Sequence, residues 1–168
     1  MKSAKNFLAG AFSLMLVALT ISLLYQPVTA VPPPGPKLRS YYLTTATHNG
    51  SQALRGCASG FHMASLWEIH DTSNLEYDTT LGLTHPDSGS GPPSGVNGWV
   101  RTGGGAPSLG ICAPGVITCE AWTSSAGNRQ GTVVSLADQW VGEPSLVAPW
   151  AGTCSVCNSF EPVWCVQD

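Results

Sequence analysis

Ala53-Leu54-Arg55-Gly56-Cys57-Ala58-Ser59-Gly60-Phe61-His62-Met63-Ala64-Ser65-Leu66-Trp67-Glu68 carries two helix signals and the first cysteine of the chain. Ala53, Leu54, Cys57 and Ala58 recur at i, i+1, i+4 and i+5. That is one face of a helix starting from Ser51. Gly60 would end it, because glycine takes the left-handed conformation of a helix terminus without a Cβ penalty. Ser65-Leu66-Trp67-Glu68 matches a capping box. The serine oxygen can accept the Glu68 N–H while the Glu68 carboxylate returns to the serine N–H. A second helix is predicted from Ser65, with Leu66, Trp67 and Ile69 as its apolar surface. It fades by Asp71-Thr72-Ser73-Asn74.

Around this stretch the pattern is of short strands and long loops. Ser40-Tyr41-Tyr42-Leu43-Thr44-Thr45 is β-branched and aromatic, the composition of a strand, and His48-Asn49-Gly50 reads as a turn. From Leu83 to Gly110, glycines and prolines recur so often that no helix survives. Only Gly98-Trp99-Val100-Arg101-Thr102 looks like a strand there. A loop of this length in a small domain is commonly a functional one. Cys119-Glu120-Ala121-Trp122-Thr123-Ser124 alternates as a strand does. Gly131–Leu136 and Pro162–Val166 are further strands, and Trp140 and Trp150 bracket a loop. The fold class is α+β: two short helices on twisted antiparallel strands, the first and last adjacent, with a long Gly/Pro-rich loop region at 83–110.

The N-terminus indicates the compartment. Lys2 and Lys5 precede an apolar run from Phe7 to Leu24, then Pro27 and the small-x-small step Val28-Thr29-Ala30. That order is a secretory signal peptide, cleaved after Ala30. An uncleaved anchor is the competing reading, since a run of about 18 residues just spans a bilayer. Residues 31–39 form a proline-rich linker, and 40–168 form the domain. Losing Lys2 and Lys5 leaves Lys37, Arg39, Arg55, Arg101 and Arg129 against ten acidic residues. This mildly acidic balance, with no basic cluster, argues against nucleic acid and against a membrane partner after cleavage. Cys57, Cys112, Cys119, Cys154, Cys157 and Cys165 are an even set in an exported small domain, which reads as three disulfides. Spacing alone does not choose among fifteen pairings. Cys154-Ser-Val-Cys157 could instead be half of a zinc ribbon or a redox motif. The second pair that zinc requires and the βαβ context that redox requires are both missing.

Taken together, these motifs resemble the C-type lectin-like fold in its broad sense, endostatin-like domains included. Residues 53–58 and Phe61-His62-Met63-Ala64-Ser65-Leu66 with Glu68 look like that family's first helix, turn and second helix. Cys119-x-x-Trp122-Thr123-Ser124, Cys157 and Val163-Trp164-Cys165-Val166 are similar to its closing cysteine pair and final strand. Gly98–Gly103 is weakly similar to its central Trp-containing strand. The likeness covers most of residues 40–168 and is to exported bacterial domains of this general type. The resemblance implies Cys57 with Cys165 and Cys119 with Cys157, leaving Cys112 with Cys154. The same arrangement with Cys154 and Cys157 exchanged stands as the alternative. Sugar-binding members hold Ca²⁺ with Glu-Pro-Asn or Gln-Pro-Asp and Trp-Asn-Asp triplets. Here Glu143-Pro144-Ser145 and Glu161-Pro162-Val163 lack the third oxygen ligand, and no Trp-Asn-Asp occurs. Calcium-dependent sugar binding therefore does not carry over.

Few constellations point to chemistry. His62, His70 and Asp71 could be imagined around a metal, but no H-E-x-x-H or tight His-x-His spacing supports it. No G-x-S-x-G elbow is present. Among Glu68, Asp71, Glu76, Asp78 and Asp87, no spacing selects the two carboxylates of a glycosidase. Gly103-Gly104-Gly105 lacks the Lys-Ser/Thr of a phosphate loop. Neither a metal nor a cofactor is expected. Trp122 and Trp164 are expected in the core, whereas Trp99 and Trp150, beside glycine- and proline-rich loops, are the better candidates for exposure. Trp99, Arg101, Trp150 and Asp87 are thus the candidate ligand-binding residues. The expected function is a secreted binding module, monomeric, recognising an extracellular glycan or protein. A small exported hydrolase acting on polysaccharide, or a structural cell-envelope protein with no small ligand, are the alternatives. Enzymatic activity is left open, with binding favoured.

Overall fold

The computed structural model describes residues 37–101, 112, 117–137 and 150–168. The signal-peptide segment, most of the linker, Gly103-Gly104-Gly105, Trp140 and Glu143-Pro144-Ser145 lie outside the described residues.

Among the described residues ten short elements make a mixed α+β domain dominated by sheet. In chain order they are β1 (Arg39–Leu43), a 3-10 turn (Ala53–Arg55), β2 (Phe61–Met63), α1 (Leu66–His70), β3 (Leu75–Tyr77) and β4 (Gly98–Trp99). Then follow α2 (Cys119–Trp122), β5 (Gln130–Leu136), β6 (Trp150–Val156) and β7 (Trp164–Gln167). The first sheet runs β2-β7-β1-β3 and the second β4-β5-β6. The first and last strands are adjacent as expected, antiparallel, with Tyr42 opposite Cys165. Not every pairing is antiparallel: β3 lies parallel to β1. Between them the chain passes through β2 and α1, and that crossover returns it in the same direction.

β7 is central because both of its edges are paired and both of its faces are buried. Trp164, Cys165 and Val166 are wholly buried. The Trp164 indole N–H donates to the Val134 carbonyl at 2.9 Å, tying the first sheet to the second. Its ring stacks on Tyr41 at 6.2 Å and meets the edge of Trp150 at 5.3 Å. Gly98 permits this approach, since a Cβ there would stand 2.6 Å from the Trp164 indole nitrogen.

Three sequence expectations change. The helix from Ser51 contracts to the 3-10 turn at Ala53–Arg55, because Cys57 is drawn off the helical path into its bridge. Gly60 does take a left-handed φ of 84°, but it precedes β2 and caps no helix. Cys119–Ser124 is not a strand. Its first four residues form the single turn α2, with φ of 46°, 56°, 56° and 63°. Left-handed backbone costs about 1–2 kcal/mol per non-glycine residue, so strong tertiary ties must hold it. The Cys119–Cys157 bridge, the Trp122 ring set edge-on to Trp99 at 5.5 Å, and a 2.8 Å Arg129–Glu120 ion pair provide them. β6 begins at Trp150, where the predicted loop ends, in a segment for which the sequence suggested no element. It pairs along all of β5, yet its side chains are mostly exposed, so no apolar alternation marked it.

The bridges are Cys57–Cys165, Cys112–Cys154 and Cys119–Cys157. These are the pairs that the resemblance implies, without the exchange of Cys154 and Cys157. Cys154 and Cys157 enter different bridges and no cysteine is free, which removes the zinc and redox readings of that motif. Three disulfides in so small a domain mark an oxidising, extracytoplasmic environment. Among the described residues no helix is long and apolar enough to cross a membrane.

Two outcomes follow from where the bridges sit. Cys57–Cys165 closes a separation of 108 residues, so replacing both cysteines by alanine should cost about 4–5 kcal/mol. It should be the most destabilising loss of the three, measured by denaturant unfolding. Cys112 is exposed and Cys154 half-buried, whereas Cys119 and Cys157 are wholly buried. Attack by a thiolate depends on access. Graded reduction with alkylation and peptide mass mapping should therefore open Cys112–Cys154 first.

Candidate functional site

Among the described residues the capping box organises a surface feature that combines a cleft, charge and an exposed aromatic ring. Ser65, with φ −75° and ψ 160°, caps α1. Its Oγ accepts the Glu68 N–H at 3.2 Å, and Glu68 Oε2 accepts the Ser65 N–H at 3.0 Å and its hydroxyl at 2.9 Å. The other carboxylate oxygen, Oε1, accepts from Arg39 of β1 at 3.1 Å. It also lies 3.3 Å from Nε2 of His62 on β2, whose Nδ1 is 2.7 Å from an Asp168 carboxylate oxygen. One carboxylate thus fastens α1 to two strands of the first sheet. Partial burial would raise the Glu68 pKa. Donation from Ser65 and Arg39 and the charge of His62 outweigh it, and Glu68 is held below the ordinary carboxylate value.

Helical spacing then sets what faces outward. Ile69 is wholly buried and Leu66 packs against the core, three residues apart on the inner side of α1. Trp67 lies on another side, and Asp71, the non-helical residue that closes α1 with its N–H on the Trp67 carbonyl at 3.1 Å, stands beside it. There they line an open cleft of about 270 Å³ with Arg39, Glu68, Asn74 and Leu75. Trp67 is 78% exposed. Asp71 Oδ1 accepts the Ser73 N–H at 3.2 Å and hydroxyl at 2.6 Å. These bonds lower the Asp71 pKa from its ordinary value. Arg39 is oriented from both ends: one guanidinium nitrogen donates to Glu68 and the other to the Gln167 carbonyl at 3.1 Å.

The four residues singled out from sequence do not assemble into a site. Trp99 is wholly buried, with its indole N–H donating to the His48 carbonyl at 2.7 Å, so it cannot meet a ligand. This candidate for exposure is buried because β4 pairs with β5 and Trp99 also bridges to Val163 beside β7. Trp150 is half-buried and spends its ring on Trp164. Arg101 is exposed, its backbone N–H tied to the Ala64 carbonyl. Asp87 is exposed beside the turn that Ser88 makes with His85. Among the described residues no hydrogen bond or ion pair joins any two of the four. Trp122 and Trp164 are buried, as expected. The part of the 83–110 loop that is described is stitched into the fold through Leu83 to Leu43, Gly95 to Leu136 and Trp99 to Pro162. Residues 102–110 lie outside the described set.

No family model, curated protein or solved structure matches this chain. The site therefore stands on its own geometry. Among the described residues no three His, Cys, Asp or Glu side chains are arranged to hold a metal ion. His62 meets Glu68 and Asp168, while His70 is exposed elsewhere on α1. The cleft was legible only in part. Leu66 and Ile69 as an inner pair would have left Trp67 outside, but nothing local brings Arg39 alongside.

Because the Glu68 pKa is lowered on folding, its contribution to stability is present above the unfolded carboxylate range. It is lost as the pH falls through the folded value. Glu68→Gln keeps a capping side chain but removes the charge. It should cost about 1 kcal/mol at neutral pH, and the gap to the unaltered chain should close on acidification. Denaturant unfolding at a series of pH values measures this.

Proposed function

We propose that this chain is an exported, calcium-independent binding module that recognises a glycan through the cleft beside α1. The observation that carries the reading is Trp67, 78% exposed on a helix whose start is locked by the capping box. Single exposed apolar residues are ordinary. Here the ring borders a cleft whose remaining lining is mostly polar. The apolar C–H face of a sugar ring can stack on an indole while its hydroxyls meet the carboxylate, amide and guanidinium groups around it. Support also comes from rigidity: the polar groups are positioned by bonds to each other and to the sheet, so little order need be gained on binding.

The C-type lectin-like resemblance supports the same reading, and the bridge pairs it implies are the pairs formed. Three bridges favour a chain that works outside the cytoplasm, as a cleaved signal peptide would require. A hydrolase using this cleft would need one carboxyl held protonated beside a second held ionised. Glu68 and Asp71 are both lowered. The arrangement therefore favours holding a sugar over cleaving it.

Trp67→Ala should weaken retention on an array of cell-wall and extracellular glycans by about tenfold or more. Its stability should change by no more than about 0.5 kcal/mol. An oxidised chain that retains no glycan, or retains only protein partners, would refute the proposal. So would a Trp67→Ala variant that binds as well as the unaltered chain.

A further inference from the structure

Resting on the glycan reading above, we infer that the cleft selects sugars bearing a free amine over N-acetylated and acidic ones. The reason lies in which charges of the cleft are already satisfied. The Arg39 guanidinium is engaged by Glu68 and by the Gln167 carbonyl. Glu68 is saturated in turn, with Arg39 and His62 at one oxygen and Ser65 at the other. Asp71 differs. Its Oδ1 is taken by Ser73, and among the described residues no hydrogen bond reaches Oδ2 and no cation pairs with the carboxylate.

A carboxylate with no cation partner among the described residues therefore shares the cleft at the end of α1 with an exposed indole. Both attract a cation: the carboxylate by charge-assisted hydrogen bonding and the ring face by its quadrupole. The same carboxylate repels an acidic sugar, and the one guanidinium that could offset this is held by Glu68. Acetylating the amine removes the cation. The cleft volume of about 270 Å³ falls just below the usual range for small-molecule pockets, about 300–1,000 Å³. That suits about one sugar unit carrying the ammonium group, with the rest of the chain running along the surface.

The test uses the full chain with its disulfides intact and three probes: a β-1,4-linked glucosamine tetramer, its fully N-acetylated counterpart and tetragalacturonate. Binding is measured by calorimetry at mildly acidic pH, above the carboxylate range and below the ordinary amine range. The amine tetramer should bind about tenfold tighter than the acetylated one, and tetragalacturonate weakest. Asp71→Asn keeps the Oδ1 acceptor for Ser73 but removes the charge. It should bring the ratio of the two affinities close to one, and added salt should shrink the ratio in the unaltered chain. Equal binding of both chito-oligomers overturns the selectivity and leaves glycan recognition standing. So does a ratio insensitive to Asp71→Asn and salt. If no oligosaccharide binds, both inferences fall together. Tighter binding of a lysine-rich peptide than of the amine sugar overturns the choice of a sugar as the carrier of the ammonium group.

Discussion

The burial of Trp164 between two sheets is the constraint on which the rest depends. Its strand, β7, pairs with β1 on one side and β2 on the other. Its indole N–H reaches across to Val134 of the second sheet. Buried in apolar surroundings, that N–H would be costly if left unpaired, so the position of β5 follows from the position of β7. Trp99 repeats the device one layer away, its indole N–H capping the His48 carbonyl while its backbone N–H takes that of Pro162. Strands this short have little ladder of their own. Two indoles, each filling a large volume and carrying one directed bond, set how the layers meet.

Sulfur supplies what a small apolar interior lacks. Cys165 of β7 is joined to Cys57, so the central strand is also the anchor for the turn that leads into β2. Cys119–Cys157 does a different task. It holds a turn of left-handed backbone that four non-glycine residues would not adopt alone. Gly50 and Gly131 close around that bridge, where an added Cβ would lie 2.5 Å and 2.7 Å from the Cys119 sulfur. The turn and the bridge are therefore one packed object, and α2 owes its shape to its neighbours.

The candidate site grows from the same frame. A capping box is ordinarily a local device, worth about 1 kcal/mol to a helix end. Here its glutamate also receives Arg39 and His62, so the helix start is fixed against β1 and β2. With the inner side of α1 committed to Ile69 and Leu66, Trp67 and Asp71 are left facing water over the cleft. Their exposure is a consequence of how the helix is tethered, and it leaves one carboxylate of the cleft without an opposite charge among the described residues.

The features legible from sequence were those decided by neighbours along the chain. The capping box at Ser65, the strands at β1, β5 and β7 and the burial of Trp122 and Trp164 followed from residue type and short-range period. Six cysteines implied three bridges, while their pairing came only with the family resemblance. What the chain alone did not disclose depended on contacts far apart in sequence. Alternation at Cys119–Ser124 resembled a strand until the bridge to Cys157 turned it. The exposed side chains of β6 concealed its pairing with β5. Trp99, a candidate for exposure, is buried, with its indole N–H bonded to a carbonyl 51 residues away. Local pattern reports the conformational preferences of a segment. Which face meets solvent, and which charges meet each other, is set when segments distant in the chain exclude water from between them.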